Sequence, residues 1–327
     1  LTVASQKHIG VNFTSAEMAM SLDDFGDRIL KPRMSQLAAS VDADVASCFS
    51  SIYNTVGTPG TTPATSAVLL AAQQKLNESA APMDQRSVVV NPAANAGLVE
   101  GMKGFFNPTD TIAKQFKSGM MGTGVLGYDD ISMTQSIRSH TTGSRAATGA
   151  TLTTTVATQG QATIAITGTG SETIKAGDVF TIGSVYAVNP QTRETTGSLQ
   201  QFVCTALNTA SGGSYTSVAI SPAIYTASHA LATVDAFPVA AAAIVFVGAL
   251  STAYPQNLIY NKNAITFATA DLLLPQGVDM ASRAVHNGIS LRVVRQYDIN
   301  NDRMPCRIDV LYGYKVIRPE LAVRLWG

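Results

Sequence analysis

The stretch from Ser21 to Val56 carries the strongest periodic signal in the chain. Apolar residues fall at Leu22, Phe25, Ile29, Leu30, Met34, Leu37, Val41, Val45, Cys48 and Ile52, mostly three or four residues apart. That spacing places them on one face of an α-helix. Ser21 suits the N-cap, Asp24 stands three residues on, and Asp23, Asp24 and Asp27 favour the positive end of the helix dipole. Pro32 removes one backbone donor and predicts a kink or a split in two. A continuous element of this length would run ~45 Å at ~1.5 Å per residue, so it would form the backbone of a flat or elongated subunit.

Around this element the pattern is mixed. Residues 1–13 lack helical periodicity and read as an extended arm or strand. After the turn-rich "GTPGTTP", Thr62 and Pro63 suit the N-cap and first position of a helix over "ATSAVLLAAQQKLNES". "RSVVV" reads as a strand, "PAANAGLVEGM" and "TDTIAKQFKSG" as short helices, and "ISMTQSIR" as a strand. Near Gly143 the composition shifts to Thr, Ser and Gly. Short alternating runs ("ATIAIT", "DVFTIGSVYAV", "LQQFVCTA", "SVAISPAIY") are then separated by turn residues, which predicts a small antiparallel barrel or sandwich inserted into the main domain. The apolar run Phe237 to Leu250 is shorter than the ~20 residues that span a bilayer, so it reads as a buried element. "NLIYNKNAITFATADLLLP" carries Leu258, Ile259, Ile265 and Phe267, while "GISLRVVRQYD" and "CRIDVLYGYKVI" read as strands; in the last, Ile308, Val310 and Tyr312 face one way and Arg307, Asp309 and Leu311 the other.

Several function classes find no support. Lys plus Arg and Asp plus Glu are 22 each, unlike a dedicated nucleic-acid binder. Cys48, Cys204 and Cys306 have neither metal nor disulfide spacing, and no His has a His or Cys three or four residues away. No secretory signal pattern opens the chain. "GTGVLG", Gly122 to Gly127, matches G-x-G-x-x-G, but a helix-like segment precedes it, a strand follows, and no carboxylate stands where a ribose ligand is needed. Charged residues are only 13%, about half the usual ~25%, which leaves the surface less protected against association.

The C-terminal run "GISLRVVRQYDINNDRMPCRIDVLYGYKVIRPELAVRLWG" sets Arg292, Arg295, Asp298, Arg303, Arg307 and Asp309 among apolar residues. Two readings fit that spacing equally: a sheet with one solvated face, or a ladder of charge pairs at a subunit boundary.

This run resembles the end of the major capsid proteins of tailed double-stranded-DNA phages. Tyr312-Gly313 and Arg318-Pro319-Glu320 are the most characteristic positions. The kinked helix from Ser21 is similar to the spine helix of that HK97-like fold. "TSAVLLAAQQKLNESAAPMDQRSVVVNPAANAGL" looks like its next helix, strand and Asn-Pro turn, and "IKAGDVFTIGSVYAVNPQT" is similar to the inserted β-domain of the short-tailed-phage coat branch. The resemblance implies an α+β fold with a long spine helix and with peripheral and axial domains built on mixed sheets. It divides the chain into an extended arm (1–20), a capsid core (21–148), an inserted β-domain (149–236) and C-terminal core strands (237–327). It implies a structural, non-enzymatic protein without cofactor or metal, assembling as hexamers and pentamers of an icosahedral shell around DNA. Scaffolding and portal proteins, and a cement protein, are the partners it suggests, with assembly in the bacterial cytoplasm and no membrane contact. Pro32, Arg292, Arg295, Asp298, Arg307, Asp309, Arg318 and Glu320 are its candidate assembly or fold-defining residues. Before Ser21 the chain is long enough only for the returning half of the family's extended loop. Lys7, the one Lys there, gives no reason to expect a Lys–Asn cross-link. The Thr/Ser/Gly-rich middle leaves one other reading, a secreted or surface adhesin-like β-protein.

Overall fold

A computed structural model describes residues 1–14, 31–102, 122–168, 170–286 and 288–326. Among them, strands of five, six, two and seven members form four sheets. These fall into two units, Leu1–Val45 with Thr266–Lys315, and Ala46–Ile265 with Val316–Gly327.

The first unit is built on an antiparallel path of four strands, in the order Ser5–Thr14, Arg303–Val316, Ile289–Arg295, Met280–His286. Ile265–Ala270 also pairs with Arg303–Val316. Period-two alternation along the long strand turns Ile308, Val310 and Tyr312 to one face, where they form a buried cluster with Leu37 of the helix Lys31–Ala46. The Ser21–Leu30 part of the expected spine lies outside the described residues, so the kink expected at Pro32 is not within view. The helix tightens into a 3-10 turn at Ser47–Ser51 and ends at Ile52, whose backbone is extended (φ −96°, ψ 122°). It therefore stops short of the expected Val56. Thr55 and Val56, β-branched residues that favour strands, pair in parallel with Arg324 and Leu325 instead.

In the second unit, a mixed sheet runs in the order Thr55–Val56, Ala322–Trp326, Ala253–Asn261, Arg86–Val90, Tyr128–Met133, Gly122–Val125, with Ser139–Thr141 also on Ala253–Asn261. The helix Ser66–Glu78 buries Leu69, Ala72 and Leu76, and Tyr128 donates its hydroxyl to the Leu69 carbonyl (2.7 Å). This helix begins three residues later than expected, with Thr65 rather than Thr62 at the N-cap position. Tertiary packing explains the shift: a side chain at Gly97 of the helix Pro92–Met102 would meet the Pro63 carbonyl, so the segment before Thr65 lies as backbone against that helix. "TDTIAKQFKSG" falls outside the described residues.

The six-stranded antiparallel sheet runs Ala150–Thr151, Ala243–Phe246, Val179–Val188, Thr195–Cys204, Ser214–Ile224, Gln161–Thr167. Its first and last strands meet through the Leu152–Ile166 bridge and the hydrogen bond from Thr153 N to the Ala165 carbonyl (2.9 Å). The ladder thus returns on itself around Phe180, Phe202, Ile164, Ile166, Val218 and Ile244. Within the apolar run 237–250 only Ala243–Phe246 is strand. Ile244 and Phe246 are buried and Ala243 and Val245 exposed, so the run alternates as a strand of this sheet rather than being buried throughout.

"GTGVLG" forms a tight hairpin. Gly122–Val125 pairs antiparallel with Tyr128–Met133, and Leu126 and Gly127 turn the corner with φ of +53° and +76°. Positive φ at both central residues is the hairpin geometry whose twist matches the strands. No helix opens after it to receive a phosphate.

Candidate assembly site

Three charged residues of the C-terminal run, Arg292, Arg307 and Asp309, come together on the sheet of the first unit. Arg292 and Asp309 are cross-strand partners, and Arg307 precedes Asp309 by two residues on the same face. Arg292 places Nη2 2.7 Å and Nε 3.2 Å from Asp309 Oδ2, while Arg307 Nε lies 2.6 Å from Oδ1. Arg292 also donates Nη1 to the Leu273 carbonyl (2.6 Å). Asp309 is fully buried, whereas the side chains of Arg292 and Arg307 are 18% and 47% exposed. Burial works to raise the Asp309 pKa, but the two guanidiniums outweigh it and hold the carboxyl below its ordinary value. The face carrying Asp309 is therefore not simply solvated. It is a sheet surface with a desolvated carboxylate beneath two arginines.

The other candidates do not join this cluster. Arg295 lies opposite Cys306, with its Nε buried and unpartnered among the described residues. Asp298 closes its own loop: Arg303 Nε (3.0 Å), Asn301 Nδ2 (2.8 Å) and Asn300 N (3.1 Å) donate to its carboxylate. The Asn301 and Arg303 bonds, in that order, lower its pKa. Pro32 is exposed at the start of the described helix. Arg318 is exposed and Glu320 half-buried, both in the second unit.

Tyr312-Gly313 acquires a physical reason. The Tyr312 hydroxyl donates to Asp44 Oδ2 (2.6 Å), and Lys7 Nζ pairs with the same oxygen (2.7 Å) and with Ser40 Oγ (2.8 Å). Arm strand, helix and long strand are thus tied at one carboxylate. A Cβ at Gly313 would collide with the Thr2 carbonyl and Val3.

A second cluster, without a local sequence signature, lies in the second unit. His140 Nε2 lies 2.8 Å from Asp178 Oδ1, and the backbone N–H groups of Gly143 (3.1 Å) and Lys175 (3.0 Å) donate to Oδ2. Arg145 Nε stands 3.7 Å from Oδ2. Its terminal nitrogens donate to the carbonyls of Gly248 (3.1 Å) and Val247 (3.0 Å), and its guanidinium lies over Phe246. From the last strand, Arg324 Nη1 reaches the Gly177 carbonyl (2.9 Å). Burial pushes the Arg324 pKa down to about 9, against the pull of Asp178, Cys204 and Cys48. Burial also works to raise Asp178, but His140, Arg145 and the backbone N–H of Lys175 outweigh it and hold the carboxylate low. Its residues are 38 positions apart or more along two of the three links, so no local motif announced it.

Among the described residues no group of three or more His, Cys, Asp or Glu could hold a metal, and no helix is long and apolar enough to cross a membrane. What both clusters do chemically is hold strands and sheets together.

A curated major capsid protein of Acyrthosiphon pisum secondary endosymbiont phage 1 is 29% identical over 177 residues, which are 51% of this chain and 42% of that protein. The chain thus spans less than half of the length of that relative. A solved structure described as Mycobacterium phage Che8 is similar at 12% identity, over 99% of this chain and 71% of the other, with a TM-score of 0.47. The mature capsid of bacteriophage PhiM1 is similar at 12% identity, over 100% and 72%, with a TM-score of 0.44. A family model described as "P22 coat protein - gene protein 5" matches residues 2–327, so the chain belongs to the P22 coat protein family.

Proposed function

We propose that many copies of this protein associate as hexamers and pentamers of an icosahedral phage shell enclosing double-stranded DNA. The observation that carries the reading is the coat-protein family match over residues 2–327. The mechanism is burial of interface area rather than catalysis, and heterologous contacts that close into rings are what a shell requires. A charged fraction of 13% suits large interfaces, and a formal net charge of zero suits a container that grips its DNA only weakly.

In this reading the fold is HK97-like. The helix Lys31–Ala46 belongs to the spine, and the strands after residue 237 build the peripheral and axial regions. Residues 149–236 are the inserted β-domain, closed as a barrel with the help of Ala243–Phe246. Arg292, Arg307 and Asp309 define the sheet at a subunit boundary, and Pro32, Arg295, Asp298, Arg318 and Glu320 lie at or near contacts. Scaffolding, portal and cement proteins are the partners, the bacterial cytoplasm the place of assembly, and the virion the destination.

The test is expression of the full protein, alone and beside its neighbouring genes, followed by electron microscopy and size-exclusion chromatography. Closed shells or extended lattices are expected. Monomers or dimers under every condition would overturn the proposal.

A further inference from the structure

Arg318-Pro319-Glu320 leads into the last strand, and the charge ladder makes no use of it. Pro319–Leu321 is a single 3-10 turn, and Glu320 lines a pocket of about 320 Å³ within the second unit, together with Tyr53, Lys75, Glu78, Gln200 and Tyr225. Two of its three charges answer each other. Lys75 Nζ lies 3.4 Å from Ser198 Oγ, which in turn donates to Glu78 Oε2 (3.5 Å), and Glu78 Oε1 accepts from Gln74 (2.8 Å). Glu320 has no such answer. Its backbone carbonyl accepts from Asn54 Nδ2 (3.4 Å), but its carboxylate has no hydrogen bond or ion pair among the described residues.

Two buried polar groups point the same way. Tyr53 is 8% exposed, lines the pocket, and has no hydrogen-bond partner for its hydroxyl among the described residues. Burial, and then the charge of Glu320, which lines the same pocket, hold that hydroxyl well above its ordinary pKa. Gln200, 6% exposed, uses its amide N–H on the Gln201 carbonyl (2.7 Å), and no described donor meets its Oε1. The unanswered groups are a carboxylate, an amide oxygen and a phenol, and Tyr225 adds a second aromatic ring to the lining. With Lys75 and Glu78 cancelling, the pocket carries one net negative charge. Such a lining is complementary to a compact cation with several N–H donors, which gains charge-assisted hydrogen bonds and an aromatic face.

We propose that this pocket binds one guanidinium or ammonium group, with Glu320 as its counter-charge. The group comes either from a free cationic small molecule or from a basic side chain of a second copy of the chain. The second source rests on the shell-building reading, and the pocket's chemistry does not.

The probe is argininamide, titrated into the unassembled protein by calorimetry, with uncharged citrullinamide as its isostere. Argininamide is expected to bind saturably at one site, citrullinamide not to bind. Glu320→Gln should weaken argininamide about tenfold, as for loss of one charge-assisted contact. Glu78→Gln should weaken it less, because Lys75 shares that carboxylate, and the exposed Glu194→Gln should leave it unchanged. No saturable binding, or equal binding to wild type and Glu320→Gln, would overturn the proposal. A second arm separates the sources. Saturating argininamide that slows assembly of wild type, but not of Glu320→Gln, identifies a neighbour's side chain, whereas unchanged assembly identifies a free cation. A chain that binds argininamide yet never assembles would sink the shell reading and leave the pocket standing.

Discussion

Asp309 and Asp178 are both fully buried, and each faces two cationic or potentially cationic side chains, yet their surroundings differ. The partners of Asp309 sit on neighbouring positions of one sheet, and their guanidiniums keep 18% and 47% of their surface in water. The partners of Asp178 are themselves buried: Arg145 is 1% and His140 6% exposed. His140 stands on a strand paired with Ala253–Asn261 of the seven-stranded sheet, and Arg324 reaches the Asp178 turn from the last strand of that sheet. Asp178 itself leads into the Val179–Val188 strand of the six-stranded sheet. One cluster therefore braces strands within a sheet, whereas the other joins two sheets. A charge left alone in the first can turn to water. A charge left alone in the second cannot.

The largest expected effect follows from that asymmetry. Asp178→Asn keeps the shape and the acceptor for the Gly143 and Lys175 N–H groups, but leaves Arg145 and Arg324 buried with no anion beside them. Breaking a buried pair in this way costs about 3–5 kcal/mol. Denaturant unfolding should show that loss in the second unit. A cost below that of the corresponding change at Asp309 would remove the distinction drawn between the two sites.

Asp309→Asn comes next, at roughly 2–3 kcal/mol, because Arg292 and Arg307 can rehydrate once the carboxylate is gone. It also has a signature in pH. The folded carboxyl is held below its ordinary value, so its stabilisation is complete above the unfolded pKa of ~3.9. It is lost as pH falls through the lower folded value, where the native state must take up the proton. Wild type should therefore lose stability more steeply than Asp309→Asn below pH ~4. Urea midpoints that fall in parallel for the two proteins down to pH ~3 would contradict the assignment.

How far the sequence foretold these clusters depends on their reach along the chain. Alternation over 303–316 identified the face of Ile308, Val310 and Tyr312, and the helices Ser66–Glu78 and Pro92–Met102 followed from local spacing and caps, apart from the start at Thr65. Arg307 and Asp309 were visible as a pair on one side of a strand. That Asp309 would be desolvated was not, because this depends on Arg292, 17 residues away, being folded over it. His140 and Asp178 are 38 residues apart, and no local spacing links them. The Leu152–Ile166 bridge that closes the six-stranded ladder, and the N-cap at Thr65, are likewise set by tertiary contacts that periodicity does not encode. The Gly122–Gly127 stretch was freed of its cofactor reading by its neighbours. Its identity as a two-residue hairpin needed the strand before it, which four residues are too few to announce.

The smallest effect is the sharpest test of the difference in solvation. Arg307 is nearly half exposed and shares Asp309 with Arg292, which keeps both of its bonds when Arg307 is neutralised. Arg307→Gln should therefore cost no more than ~1 kcal/mol, in the range of exposed ion pairs, and the deficit should shrink further as salt is raised. Arg145→Gln removes the cation whose Nε stands 3.7 Å from Asp178 Oδ2, but there the carboxylate and the cation are both shielded from mobile ions, so added salt should leave its deficit almost unchanged. The measurement is the difference in unfolding free energy from wild type at low and high ionic strength for each variant. Equal salt dependence at the two sites would mean that the guanidinium of Arg307 is as enclosed in solution as that of Arg145, and that the two clusters differ in position but not in kind.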